Sequence, residues 1–62
     1  MWTTIYMSQD LENIRSTRLK IEEKSIIVMF HRIHSEELQG LDCYELLVPS
    51  AELNDALEII ID

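Results

Sequence analysis

Two histidines and one cysteine are the side chains in this sequence best suited to metal binding or nucleophilic chemistry. Zinc takes imidazole nitrogens and thiolates as ligands, so His31, His34 and Cys43 are the first candidates for a metal site. The two histidines lie three residues apart in a stretch with strand composition, where their side chains point to opposite faces. We therefore predict no metal site and expect both histidines at the surface.

Cys43 is the only cysteine, so the chain cannot form an internal disulfide. A reactive cysteine needs a helix N-terminus or a cationic neighbour that favours the thiolate. Tyr44 and Glu45 follow Cys43 instead, and we predict a small apolar strand residue rather than a nucleophile.

The remaining chemical candidates are paired carboxylates, a phosphate loop and a cofactor lysine. Glu22-Glu23 and Glu36-Glu37 are sequence neighbours whose side chains turn apart, so we expect solvated carboxylates rather than a pair that shares a proton. The single glycine, Gly40, excludes glycine-rich phosphate loops.

Lys20 and Lys24 lie on a polar helix face of a domain too small to enclose a cofactor alone. We predict no catalytic residue, no cofactor and no enzyme.

The charge of the chain is negative and unevenly distributed. A formal net charge of −7 argues against a nucleic-acid or anionic membrane partner, because both need a positive field on the protein. All five basic residues lie within residues 1–34, and the charged residues of 35–62 are all acidic. This polarity indicates either two solvated helix faces or self-association steered by opposite fields.

The length allows one domain, which we predict to span residues 1–62, with one thin core. Such a domain is often stabilised by association with a partner. The first residues lack the basic region and long apolar core of a secretion signal, so we expect none. The longest apolar run, residues 26–30, is far below the roughly 20 residues needed to span a bilayer. We expect a cytoplasmic protein.

Three elements are predicted in the first half of the chain. Apolar alternation predicts a strand over residues 2–7, and helical spacing predicts a helix over residues 9–24 with Ser8 at its N-terminal cap. β-branched and aromatic side chains predict a second strand over residues 25–33.

A loop, a strand and a helix are predicted in the second half. Residues 35–42 form the longest loop, and residues 43–48 form a third strand that Pro49 ends. Ser50 is placed to cap a final helix with i, i+3, i+4, i+7 apolar spacing. Residues 59–61 have strand-forming side chains, so they either stay helical or form a short fourth strand at a sheet edge.

The order β-α-β-β-α predicts an α+β split βαβ fold. The crossover helix makes the first two strands parallel, and the third lies between them in the order 1-3-2. We expect both helices on one face of the sheet. The residues predicted beneath the helices are Thr3, Ile5, Met7, Ile26, Val28, Phe30, Tyr44, Leu46 and Val48.

The opposite face is predicted to be open and half apolar, with Ile33, Cys43 and Glu45 among its residues. Contiguous exposed apolar area usually marks an interaction site. The alternatives are scattered exposed hydrophobic residues, burial by another copy in a dimer or larger homo-oligomer, and a ligand or another protein. We favour the second. The predicted interface residues are Trp2, Thr4, Tyr6, Ile27, Met29, His31 and Leu47.

Three stretches of the sequence resemble a family of small prokaryotic proteins that are named as signal-transducing and have no known function. They are TTIYMSQDLENI, KSIIVMF and YELLVPSAELNDALEII, and together they cover nearly the whole chain. The strand-Val-Pro-helix ending is the most specific part and carries no reactive group. The chain has Lys24-Ser25 where a glycine is typical of the family.

The resemblance implies a bacterial, ferredoxin-like α+β domain similar to effector-binding regulatory modules. We expect a non-catalytic regulatory or interaction module that self-associates through its open sheet face or its strand edges. The alternative is a sensor that binds a small metabolite at a subunit interface, which fold analogy alone supports. Another protein could also add a strand to an edge.

Overall fold

A computed structural model of the chain describes residues 1–34 and 42–61. The strands are β1 (Trp2–Ser8), β2 (Met29–His34) and β3 (Asp42–Pro49). The helices are α1 (Leu11–Glu22) and α2 (Leu53–Ile61), and one 3₁₀ turn (Ser50–Glu52) precedes α2. The predicted α+β class and element order are confirmed. Residues 35–41 of the predicted loop, with Glu36-Glu37 and Gly40, lie outside the described residues.

The sheet has the order β1-β3-β2, and β3 is antiparallel to both neighbours. β1 and β2 therefore run parallel to each other, as the crossover helix predicts. In the part of the chain that the structure describes, no fourth strand pairs with the outer edge of β1 or β2.

The apolar run before β2 is not strand throughout. Ile26 and Val28 are buried but lie in an irregular segment, and β2 begins only at Met29. At Ile26 and Val28 the apolar pattern therefore reflects burial in the core rather than strand pairing. At the other end of the chain, residues 59–61 are helical, and the alternative of a fourth strand over them is wrong.

Neither predicted serine cap is observed. Asp10 caps α1, since its Oδ1 accepts from the amide of Glu12 at 2.9 Å, whereas Ser8 Oγ accepts from the amide of Asp10 in the preceding turn at 3.0 Å. Ser50 Oγ donates to the Met1 carbonyl at 3.1 Å instead of capping the turn before α2. Ser50 therefore ties the start of that turn to the start of β1.

One core cluster joins the sheet to both helices. Alternate residues of β3 point into it, so we call this side of the sheet the core face, marked by Leu46 and Val48. We call the opposite side, marked by Glu45 and Leu47, the outer face. The buried members of the cluster are Ile14, Ile21, Ile26, Val28, Leu46, Val48 and Ala56.

A β-bulge in β1 reverses the predicted alternation. The register with β3 shifts between Thr4 and Tyr6, so that Tyr6 lies opposite Leu46 and Met7 lies opposite Glu45. Tyr6 packs against the core cluster, and Met7 is 54% exposed. The predicted placement of Tyr6 on the open face and Met7 beneath the helices is therefore wrong, because one inserted residue moves every later side chain to the other face.

β2 is the least covered strand. Both helices pack against β1 and β3, and their contacts with β2 are few by comparison. Phe30 lies opposite Leu46 on the core face, yet it remains 38% exposed. Phe30 therefore lies on the predicted face but is only partly covered, because the helices make few contacts with this edge of the sheet.

The turn after α1 contains a residue in the left-handed region. Ser25 has φ 63°, and its amide donates to the carbonyl of Glu22 at 2.9 Å. Residues with a Cβ are strained in this region, whereas glycine is not. This is the turn in which the resembled family typically has a glycine.

We expect Ser25→Gly to raise the free energy of unfolding by about 0.5 to 1 kcal/mol, since relief of strain exceeds the entropy that glycine adds to the unfolded chain. Urea denaturation measures this difference. Ser25→Ala is the matched control, because it keeps the Cβ and should give no gain. Equal stabilisation by both variants would contradict the strain at residue 25.

Candidate functional site

The outer face of the sheet is the candidate functional site. Because neighbouring strands are in register, its residues form rows that cross all three strands. The two complete rows are Thr4, Leu47 and Met29, followed by Met7, Glu45 and His31.

Apolar side chains surround these rows. Trp2 lies opposite Pro49 at one end of the sheet, and both Trp2 and Met29 are exposed. Ile27 is 67% exposed, because its neighbours on either side point into the core. Together with Met7, these residues place large apolar groups in solvent on the side of the sheet opposite the core cluster.

A hydrogen-bonded triad lies at the centre of the outer face and joins the three strands. Glu45 Oε1 is 2.7 Å from His31 Nδ1, and Glu45 Oε2 accepts from Thr4 Oγ1 at 3.0 Å. Since a carboxylate only accepts, His31 Nδ1 carries the hydrogen. The Glu45 side chain is only 14% exposed. Its two oxygens therefore accept hydrogen bonds from the neighbouring strands in place of water.

The triad changes the acidity of Glu45. The hydrogen bond from His31 lowers the pKa of Glu45 below its ordinary value, and the hydrogen bond from Thr4 acts in the same direction, whereas burial opposes them. Glu45 is therefore held in its charged form at the centre of an otherwise largely apolar surface.

A second histidine–carboxylate pair lies at the end of β2. His34 Nδ1 is 2.9 Å from Asp42 Oδ1, and this hydrogen bond lowers the pKa of Asp42, with a further contribution from the charge of Arg32. Asp42 belongs to β3, so this contact also crosses two strands.

Both histidines are exposed, as predicted, and they lie on opposite sides of β2. Within residues 1–34 and 42–61, no group of three or more His, Cys, Asp and Glu side chains is placed to hold a metal ion. The pairing of each histidine with an acid of β3 was not predicted. Only the strand register reveals it, because the partners are 14 and 8 residues apart in sequence.

The strand register places five predicted interface residues on the outer face: Trp2, Thr4, Met29, His31 and Leu47. Ile27 precedes β2 and is exposed. Tyr6 does not lie on the outer face, and Met7 must be added. Their role in an interface stays a prediction. None of the described helices is long and apolar enough to cross a membrane.

We expect the Glu45 triad to stabilise the fold in a pH-dependent way. Because the folded pKa of Glu45 is depressed, its contribution is present above the unfolded pKa and is lost as the pH falls through the folded pKa. Glu45→Gln should therefore lower the free energy of unfolding near pH 7. The difference in this free energy between the variant and the unmodified chain should shrink toward about pH 3. Denaturant unfolding at both pH values measures the difference.

Glu23→Gln is the control for this experiment, because Glu23 is exposed at the end of α1 and makes no side-chain hydrogen bond to a described residue. It should show no such pH-dependent gap. A loss caused by Glu45→Gln that is the same at both pH values would contradict the role of the charged carboxylate.

Comparison with known proteins gave no relative of this chain: no family model, no curated protein and no solved structure matches it.

Proposed function

We propose that this chain is a non-catalytic regulatory or interaction module that self-associates through the outer face of its sheet. One observation carries the proposal: Trp2, Met7, Ile27 and Met29 are all exposed on or beside that face, although the core cluster lies on the other side. Exposed apolar side chains grouped on one surface favour burial against a partner. A signalling role in the bacterial cytoplasm is part of the proposal, and the resemblance in sequence is its support.

The polar centre of the outer face is compatible with such burial. An isolated buried carboxylate would cost several kcal/mol, but Glu45 already accepts hydrogen bonds from His31 and Thr4. Covering the face would therefore leave no unsatisfied oxygen on Glu45, and the triad would help to fix the orientation of the partner.

The size of the face sets the expected strength of the association. Strands of seven, six and eight residues, about 4.8 Å apart and rising about 3.3 Å per residue, cover a footprint of about 300 Å². Stable interfaces bury about 800 Å² of accessible surface on each partner. The face is smaller than that, so we expect a weak dimer that forms at high micromolar concentration, with Trp2 and Ile27 extending the contact beyond the strands.

The ferredoxin-like arrangement, with both helices on one face, is part of the proposal. Its support is the core cluster, in which Ile14 and Ile21 of α1 and Ala56 of α2 join Leu46 and Val48 of β3. With both helices on that side, the outer face depends on a second copy for cover.

We expect the unmodified chain to sediment as a dimer at high micromolar concentration. Replacing both Met7 and Met29 with Gln should weaken the dimer about tenfold or more. Full burial of a methionine side chain contributes roughly 1.5 to 3 kcal/mol, and about half of each side chain remains exposed in the single chain. Sedimentation equilibrium over a concentration series measures the dissociation constant.

Leu19→Gln is the matched control, because Leu19 is 62% exposed on α1, away from the sheet. It should leave the dimer unchanged. A monomer at high micromolar concentration, or equal weakening by the control, would count against the outer face.

Hydrogen exchange separates association through the face from association through an edge. Pairing between edges would protect those amides of β1 and β2 that point away from β3, because a new ladder would bond them. Burial of the outer face should instead leave these edge amides unprotected as the dimer forms. Protection of the edge amides would contradict association through the outer face and indicate that the chains associate through their strand edges.

A further inference from the structure

A groove of about 360 Å³ lies between α1 and β2, away from the outer face. Arg15 and Arg18 of α1 line one side, and Arg32 of β2 lines the other. Phe30 and Tyr44 form an aromatic surface within it. We propose that this groove binds a small anion that combines a planar ring with a phosphate group, which is the chemistry of a mononucleotide.

The charged side chains that line the groove are basic, although each also has an acidic partner within 4 Å. Three of the five basic residues line it in a chain of net charge −7, and no acidic residue is among its described lining residues. Three guanidinium groups suit a dianionic phosphate better than a single carboxylate, and their planar donors match phosphate oxygens. The glycine-rich loops excluded above bind phosphate through backbone amides, whereas this groove would use side chains.

The arginines are held only loosely by their own partners. Arg15 Nη1 lies 3.6 Å from Glu12 Oε1, and both side chains are largely exposed. Arg32 Nε lies 3.5 Å from Asp42 Oδ2. Exposed ion pairs at such distances contribute little to stability. A phosphate in the groove could therefore engage these guanidinium groups at small cost.

Arg18 is paired as loosely as the other two arginines. Its Nε lies 3.5 Å from Glu22 Oε1 and makes no hydrogen bond to a described residue. The Nε itself is buried, but 43% of the Arg18 side chain is exposed. A ligand in the groove would therefore meet this exposed part of the side chain.

The aromatic surface supplies a site for the ring. Phe30 and Tyr44 are stacked, with ring centroids 5.6 Å apart and planes at 23°. Because the helices leave β2 uncovered, part of Phe30 stays accessible. Planar rings stack on such side chains. Leu11 and Ile14 complete the apolar lining, and the volume lies at the small end of the range for ligand pockets.

The groove lies within one chain, whereas the sequence-based alternative of a metabolite sensor places the ligand between subunits. It belongs to the core face and to α1, so ligand binding does not depend on the proposed self-association. A single mononucleotide also differs from a nucleic acid, which would meet the negative field of the remaining surface.

A nitrogen-15 NMR titration of the full chain tests the proposal with AMP, GMP, CMP and UMP as probes. Adenosine, ribose 5-phosphate and inorganic phosphate form the comparison arms. We expect saturable shifts at the groove with at least one nucleotide, and binding at least about tenfold weaker for adenosine, which lacks the charge-assisted hydrogen bonds. No saturable nucleotide shift at the groove, or equal binding of inorganic phosphate, would overturn the proposal.

Variants then assign the contacts. Arg18→Gln and Arg32→Gln should each weaken nucleotide binding about tenfold or more, and Phe30→Leu should weaken nucleotide but not inorganic phosphate. Lys20→Gln is the control, because it removes the same charge from an exposed position of α1 outside the groove. Equal loss with Lys20→Gln would indicate general charge attraction and overturn the site.

The two arginine variants lie on different elements, so loss of folding in one leaves the other as a test, with the spectrum of the free protein as the check. The double variant Met7→Gln/Met29→Gln should keep normal nucleotide affinity. Loss of nucleotide binding is thereby distinguished from loss of self-association.

Discussion

The pairing of β3 with both of its neighbours is the interaction on which the rest of the structure depends. Among the strands of residues 1–34 and 42–61, β3 alone bonds to two others, and its alternate residues Leu46 and Val48 are fully buried against the helices. The residues between them, Glu45 and Leu47, are thereby turned to the opposite side. A single strand thus fixes both the hydrophobic core and the chemistry of the outer face.

The periodicity of the sequence predicts the element order, the sheet order and the exposure of both histidines, because these follow from apolar spacing and chain connectivity. It does not predict the bulge in β1, since an inserted residue leaves no mark on an alternating pattern as short as residues 2–7. The placement of Tyr6 and Met7 fails for that reason. The sequence alone does not predict the groove or the hydrogen bonds of His31 and His34 to acidic residues of β3, because these depend on strand register.

The two candidate surfaces lie on opposite sides of β2 and are open for different reasons. On the core face the helices pack mainly on β1 and β3, which leaves the groove of arginine and aromatic side chains open beside Phe30. On the outer face, opposite the core cluster, Met29 is exposed beside the triad of Glu45. One edge strand therefore separates two regions of different chemistry.

The bulge in β1 has a consequence for how the sheet can grow. A bulge twists an edge strand and interrupts its row of free backbone groups, which makes that edge a poor template for another strand. β2 pairs with β3 without interruption from Met29 to His34 and so keeps the straighter edge. A fibril that grows by adding one sheet edge to another needs two receptive edges on each molecule. The bulge in β1 blocks this growth at one of them.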